Sequence, residues 1–130
     1  MPAKLGEDTN ALNWFEIPVN DMERAAAFYE SIFDVKLMRM DMMDMQMAAF
    51  PSRPPHSGGT LVKSARHKPS PDGLVVYLNG NPDLQLVLDR VEKAGGKVVL
   101  PKTLIDKQAG YMSFIMDTEG NRVGVHSGHE

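Results

Sequence analysis

The sequence carries one pattern twice. From Asn13 to about Met42, and again from Gly73 to about Ile105, an alternating apolar stretch runs through polar cap residues into an amphipathic one. In the first copy Phe15, Ile17 and Val19 alternate, then Asn20-Asp21-Met22-Glu23 opens a segment with Ala25, Phe28, Tyr29 and Ile32 on one helical face. In the second, Leu74 to Leu78 is the apolar strand, and Asn81-Pro82-Asp83 opens a segment with Leu84, Val87, Leu88 and Val91 on one face. A switch from period two to period 3.6 marks a strand followed by an amphipathic helix. Each copy continues into short alternating strands. Two such halves fold around a shared sheet surface, and the cavity between them is the place to look for function.

Length and charge narrow the class. A chain of 130 residues buries about two-thirds of its unfolded surface, enough for one core, so residues 1–130 are expected to form a single domain. The net charge of −3 is slight and the signs are mixed. That argues against a nucleic-acid or polybasic membrane partner, which would need a concentrated basic face. Without cysteine, disulfides, thiolate catalysis and cysteine–zinc sites are excluded. Met1 to Asn10 is polar, with no hydrophobic signal core. No run approaches the roughly eighteen apolar residues of a membrane span. A soluble, cytoplasmic protein is expected.

Local signals place the elements. Residues 1 to about 12 read as a loose arm. Asn20 is expected to cap the first helix, with Glu23 completing a capping box. Asn81 is expected to cap the second, with Pro82 at its first position, and Gly95-Gly96 to end it. Two short strands flank Met42–Asp44, and a strand at Gly59 to Ser64 interrupts loop chemistry between Pro51 and Gly73. Tyr111 to Met116 and Arg122 to Ser127 flank Asp117-Thr118-Glu119-Gly120-Asn121, which reads as a hairpin turn. The fold class is therefore α+β, two β-α-β-β-β modules at about 13–64 and 73–127.

Trp14-Phe15-Glu16-Ile17-Pro18-Val19-Asn20-Asp21, followed by Arg24, Phe28-Tyr29 and Phe33, resembles the first module of the vicinal oxygen chelate superfamily. That group contains glyoxalase I, bleomycin-resistance proteins and extradiol dioxygenases. Val91-Glu92-Lys93-Ala94-Gly95-Gly96-Lys97-Val98 and Asp117-Thr118-Glu119-Gly120-Asn121-Arg122-Val123-Gly124 resemble its second module. The resemblance implies a curved mixed sheet with helices on the convex side, and a homodimer whose cavities form between subunits. It leaves the chemistry open, because unrelated reactions share this scaffold.

Metal-using members of that family hold a divalent cation on His, Gln or Glu side chains of the first and last strands of each module, leaving open positions for a bidentate substrate. Matched residue by residue, the first-strand positions fall on Trp14 and at or beside Leu74. The last-strand positions fall on Gly124, seven residues after Asp117, and on Val62. None of these side chains offers a lone pair to such a cation. The expectation is no metal and no other cofactor; a divalent metal held by displaced ligands is the alternative.

Side-chain parity indicates what lines the cavity instead. With Phe15, Ile17 and Val19 beneath the helices, Trp14 and Glu16 face the concave side. With Val123 and Val125 in the core, Arg122, Gly124 and His126 face it too. Met38, Met40 and Met42 alternate on one strand, and Met45 and Met47 on the next. Thioether clusters bind Cu(I), but methionine is also a flexible apolar filler, and without a helper cysteine a pliable cavity wall or subunit contact is the better reading. The ligand-binding candidates are Trp14, Glu16, Met47, Gly124 and His126, taking a small, largely apolar molecule. In the enzyme alternative, a lyase or isomerase, Glu16 and His126 serve as acid and base. The H-x-x-H-E tail of His126, His129 and Glu130 is too extended to preorganise a metal. The stretch from Arg53 to Lys68, with Lys63, Arg66, His56 and His67 and no acidic residue, would attract an anionic substrate if it stood at a cleft mouth, but a solvated basic loop is the better reading. Gly58-Gly59 lacks the context of a phosphate loop.

Overall fold

The computed structural model describes residues 6–128. The start of the N-terminal arm and the His129–Glu130 end of the tail lie outside the described residues. The first module comprises β1 (Trp14–Pro18), α1 (Met22–Phe33), β2 (Met38–Met42), β3 (Met45–Ala49) and β4 (Gly58–Lys63). The second comprises β5 (Tyr77–Asn79), α2 (Leu84–Val91), β6 (Lys97–Asp106), β7 (Gly110–Met116) and β8 (Arg122–Ser127). The class is α+β, and each module is a β-α-β-β-β unit. Rather than one continuous sheet there are two four-stranded mixed sheets, ordered β1-β4-β3-β2 and β5-β8-β7-β6. In each, the first and last strands of the module run parallel and the other pairs antiparallel.

Both helices bury the face their spacing marked. Ala25, Phe28, Tyr29 and Ile32 of α1 and Leu84, Val87, Leu88 and Val91 of α2 are all buried. They meet Ile17, Ala48 and Leu61 of the first sheet and Leu78, Ile115, Val123 and Val125 of the second in one shared core. At about 25 cal/mol per Å², each large aliphatic side chain so buried contributes about 1.5–3 kcal/mol.

The caps differ from expectation. Asp21, not Asn20, caps α1, accepting from Arg24 N at 3.1 Å. Asp83, not Asn81, caps α2, accepting from Gln85 N at 3.0 Å, while the Asn81 side-chain carbonyl accepts from Gly128 N at 2.7 Å. The end of α2 holds to expectation, with Gly95 at φ +104° just past the last turn. The second module's first strand starts late. Leu74 is almost fully exposed, and only Tyr77–Asn79 pair with β8.

The β7–β8 turn joins the modules. Glu119, its side chain fully buried, accepts from Asn20 N and Asp21 N at 2.8 Å each and from Arg24 Nε at 2.7 Å. The Tyr29 hydroxyl donates to Asp117 Oδ2 at 2.7 Å inside the core. Burial, and next the charge of Asp117, push the Tyr29 phenol well above its ordinary pKa, so it remains a donor. Asn121 Nδ2 donates to the Pro18 carbonyl at 2.7 Å, and its Oδ1 accepts from Ser70 N at 3.0 Å. That turn therefore fixes the edge of β1, the chain leading into β5, and the start of β8 relative to one another.

Candidate functional site

Those three segments enclose a cleft of about 450 Å³. Trp14, Ile17, Leu74, Val76 and Val123 give it apolar walls, and Glu16, Asp72, Lys68 and Arg122 its charges, two of each sign. Trp14 and Leu74 leave 48% and 98% of their surfaces exposed, so apolar surface stands open at this cleft. The volume lies within the roughly 300–1,000 Å³ usual for small-molecule sites. Arg122 sits over the Phe114 ring at 5.2 Å, and its buried Nε has no partner among the described residues.

Strand alternation places Trp14 and Glu16 as the sequence indicated, on the face of β1 opposite Ile17. The other candidates are not gathered with them. Met47 shares that sheet face, two strands away in the row Met40–Met47–Val62–Pro18, and does not line the cleft. Gly124 lies under Tyr77, its register partner, and an added Cβ would run into the Tyr77 ring. That ring, 5.8 Å from Phe114, occupies the space where glycine was expected to admit a ligand. His126, on the second sheet, has Nε2 2.6 Å from the Ala109 carbonyl. A carbonyl only accepts, so Nε2 carries a proton and donates. His126 thus ties β8 to the end of the β6–β7 hairpin, and no hydrogen bond joins it to Glu16 among the described residues.

Glu16 has a different imidazole. His67, in the chain leading to β5, has Nε2 2.7 Å from Glu16 Oε1 and Nδ1 2.7 Å from Ser64 Oγ. Ser64 Oγ accepts from Arg66 N at 3.1 Å, leaving its own proton for Nδ1. A neutral imidazole protonated at Nε2 satisfies every partner in this Ser64–His67–Glu16 line. Sequence reasoning counted His67 only as part of a basic loop, because its partner lies fifty-one residues away. The stretch was nonetheless marked by a second signal, the lack of any acidic residue between Arg53 and Lys68.

Strand register corrects one metal-position match. Glu16 pairs with Thr60 as Tyr77 pairs with Gly124, and Pro18 pairs with Val62 as Asn79 pairs with His126. The first-module counterpart of Gly124 is therefore Thr60, not Val62, and the counterpart of Trp14 is Val75, beside Leu74. An indole, a valine, a threonine and a glycine occupy the four positions. The Thr60 hydroxyl is buried with no partner among the described residues, but a lone neutral hydroxyl is a poor substitute for imidazole and carboxylate donors. These residues do not fit a divalent cation. Among the described residues no group of three or more His, Cys, Asp or Glu is placed to hold one elsewhere, and no helix is long and apolar enough to cross a membrane.

The paired β-α-β-β-β modules, their helices in a shared core and a cleft at the sheet edge define the class: a glyoxalase-like fold with a candidate small-molecule site. Residues 11–125 match the Glyoxalase/Bleomycin resistance protein/Dioxygenase superfamily, and the chain belongs to it. No curated protein matches the chain. Among solved structures it is similar to a hypothetical protein from S. aureus, with TM-score 0.65 and 20% identity over 93% of this chain and 96% of that one. Glyoxalase I from Zea mays matches with TM-score 0.67 and 16% identity, over 92% of this chain and 45% of the maize one. A glyoxalase/bleomycin resistance protein from Albidiferax ferrireducens gives TM-score 0.62 and 15% identity, over 89% and 98%. At these identities the likeness is one of fold.

Proposed function

We propose that this protein binds a small, largely apolar molecule in the cleft along β1 and does so without a resident metal. The observation that carries the reading is the formed cleft itself, with Trp14 and Leu74 presenting exposed apolar surface beside Glu16, Asp72, Lys68 and Arg122. The four residues at the family's metal positions support it, since none supplies imidazole or carboxylate. Arg122 offers a donor to a polar acceptor on a ligand, and the apolar walls supply affinity at about 25 cal/mol per Å² removed from water. Trp14 is the single tryptophan and lines this cleft, so its fluorescence offers a direct probe of it. Titration with a panel of aromatic and aliphatic compounds should give saturable changes that Leu74→Ser and Arg122→Gln weaken. A panel that leaves Trp14 unchanged up to millimolar concentration would count against the reading.

A second reading, a metal-free lyase or isomerase, is favoured by the Ser64–His67–Glu16 line. Glu16 lines the cleft as a potential base, and His67 is the imidazole that orients it, in the place expected for His126. Position and hydrogen bonding are the first requirements for such a pair. Turnover lost in Glu16→Gln with ligand affinity kept would establish this reading over simple binding.

We also propose a homodimer in the cytoplasm. Met38, Met42 and Met43 expose apolar surface at one side of the first sheet, as a subunit contact would require. Sizing with light scattering should give twice the chain mass; a monomer at micromolar concentration would refute the dimer.

A further inference from the structure

A second cleft, of about 430 Å³, lies on the opposite, core side of β1, between the end of α1 and the outer face of α2. Its middle is apolar, lined by Phe15, Phe33, Phe50, Leu86 and Val87, and its two ends are polar. At one end stands Arg90, in the last turn of α2. Its Nη1 donates to the Ile32 carbonyl at 3.2 Å, which holds the guanidinium at the cleft, and it forms no ion pair among the described residues. At the other end are Asn79, Asn81 and Asp83.

The chemistry of that far end is fixed by its hydrogen bonds. Asn79 Oδ1 accepts from Asn81 N at 2.9 Å, and Asn81 Oδ1 accepts from Gly128 N at 2.7 Å. A backbone N–H demands an oxygen, so both amides are oriented and both NH₂ groups remain as donors on the cleft wall. Asp83 accepts from Gln85 N and from Lys102 Nζ, and the Lys102 contact chiefly lowers its pKa, keeping it a carboxylate. The Asp83 charge is offset by Lys102, whereas Arg90 has no ion-pair partner among the described residues, so an anion is favoured at the Arg90 end. Two helical turns separate the ends, about 10 Å at 1.5 Å per residue.

We propose that this cleft is a binding site for an elongated apolar carboxylate, its carboxylate on Arg90, its hydrocarbon body against Phe33, Phe50, Leu86 and Val87, and any distal hydroxyl or carbonyl on Asn79 and Asn81. The site shares only Phe15 with the lining of the cleft at Trp14, and Arg90, Leu86 and Val87 belong to it alone.

The test uses decanoate, 10-hydroxydecanoate and 1-decanol as probes on full-length protein with labelled methyl groups. Decanoate should shift the Val35, Leu86 and Val87 methyl resonances saturably, and Leu74→Ser, in the other cleft, should leave that response unchanged. Arg90→Gln should weaken decanoate about tenfold, the range of one charge-assisted contact, and leave 1-decanol as it was. Leu86→Glu, at an exposed helical position, should weaken all three. The hydroxyl of 10-hydroxydecanoate should add affinity that Asn81→Ala removes. Circular dichroism identifies any variant that fails to fold; the wild-type shift map and the decanoate-to-decanol affinity ratio then stand as the test. No methyl shift up to millimolar decanoate, equal affinity for decanoate and 1-decanol, or a response at Trp14 alone would overturn the proposal.

Discussion

Replacing Glu119 with glutamine tests the clamp that positions the cleft along β1. Five donors converge on this carboxylate: Asn20 N, Asp21 N, Arg24 Nε and Nη2, and the Thr118 hydroxyl. Burial alone would raise its pKa; the bonds from Arg24, Asp21, Asn20 and Thr118 outweigh that and hold it at about 2. Against an ordinary glutamate at about 4.3, the gap corresponds to about 3 kcal/mol of folding stability. A glutamine keeps the shape but turns an NH₂ group toward N–H donors, stranding at least one of them. Glu119→Gln should therefore lose about 2–4 kcal/mol at neutral pH, a fall of about 10 °C in Tm. The sign with pH follows from the depressed folded pKa. The stabilisation is complete above about pH 5 and disappears as pH falls through about 2. Urea unfolding of both proteins from pH 7 to pH 2.5 should show the stability difference shrinking as the wild type loses its charge. A difference below about 0.5 kcal/mol at pH 7, or one that does not change with pH, would refute the reasoning.

Other perturbations follow from the same contacts. Gly124→Ala should cost about 1–3 kcal/mol by pressing on Tyr77, and Tyr77→Ala should relieve most of that in the double variant, a coupling read by urea unfolding. Glu16→Gln and His67→Ala should each cost about 0.5–1 kcal/mol, since the pair is partly exposed. Both should speed hydrogen exchange across residues 64–68, with non-additive effects when combined. Tyr29→Phe strands Asp117 Oδ2 in part of its buried network and should cost about 1–2 kcal/mol, measured by thermal unfolding.

Some of this architecture is written locally and some is not. The alternation of Phe15, Ile17 and Val19 and the helical spacing of Leu84, Val87, Leu88 and Val91 each depend on one burial direction, which a single element reveals. Both helix starts offered two cap-type residues, and the choice was made from afar. Asn20 and Asp21 both give their N–H groups to Glu119, and Asn81 is engaged by Gly128. The site divides in the same way. Trp14 and Glu16 followed from parity on one strand. The Glu16–His67 contact, the filling of Gly124 by Tyr77 and the equivalence of Thr60 with Gly124 all depend on register between strands far apart in sequence, which periodicity does not carry. His126 faced the expected side, but its ring is committed to Ala109, a partner that no sequence spacing announces.

Metal content of the untagged protein, after incubation with Ni, Zn, Mn and Fe(II) and desalting, bears most directly on the proposed metal-free site. With Trp14, Val75, Thr60 and Gly124 at the family positions, inductively coupled plasma mass spectrometry should find only substoichiometric metal, and Trp14 should respond to apolar ligands equally before and after chelation. One equivalent of a tightly held metal per chain, with ligand binding abolished by its removal, would contradict it.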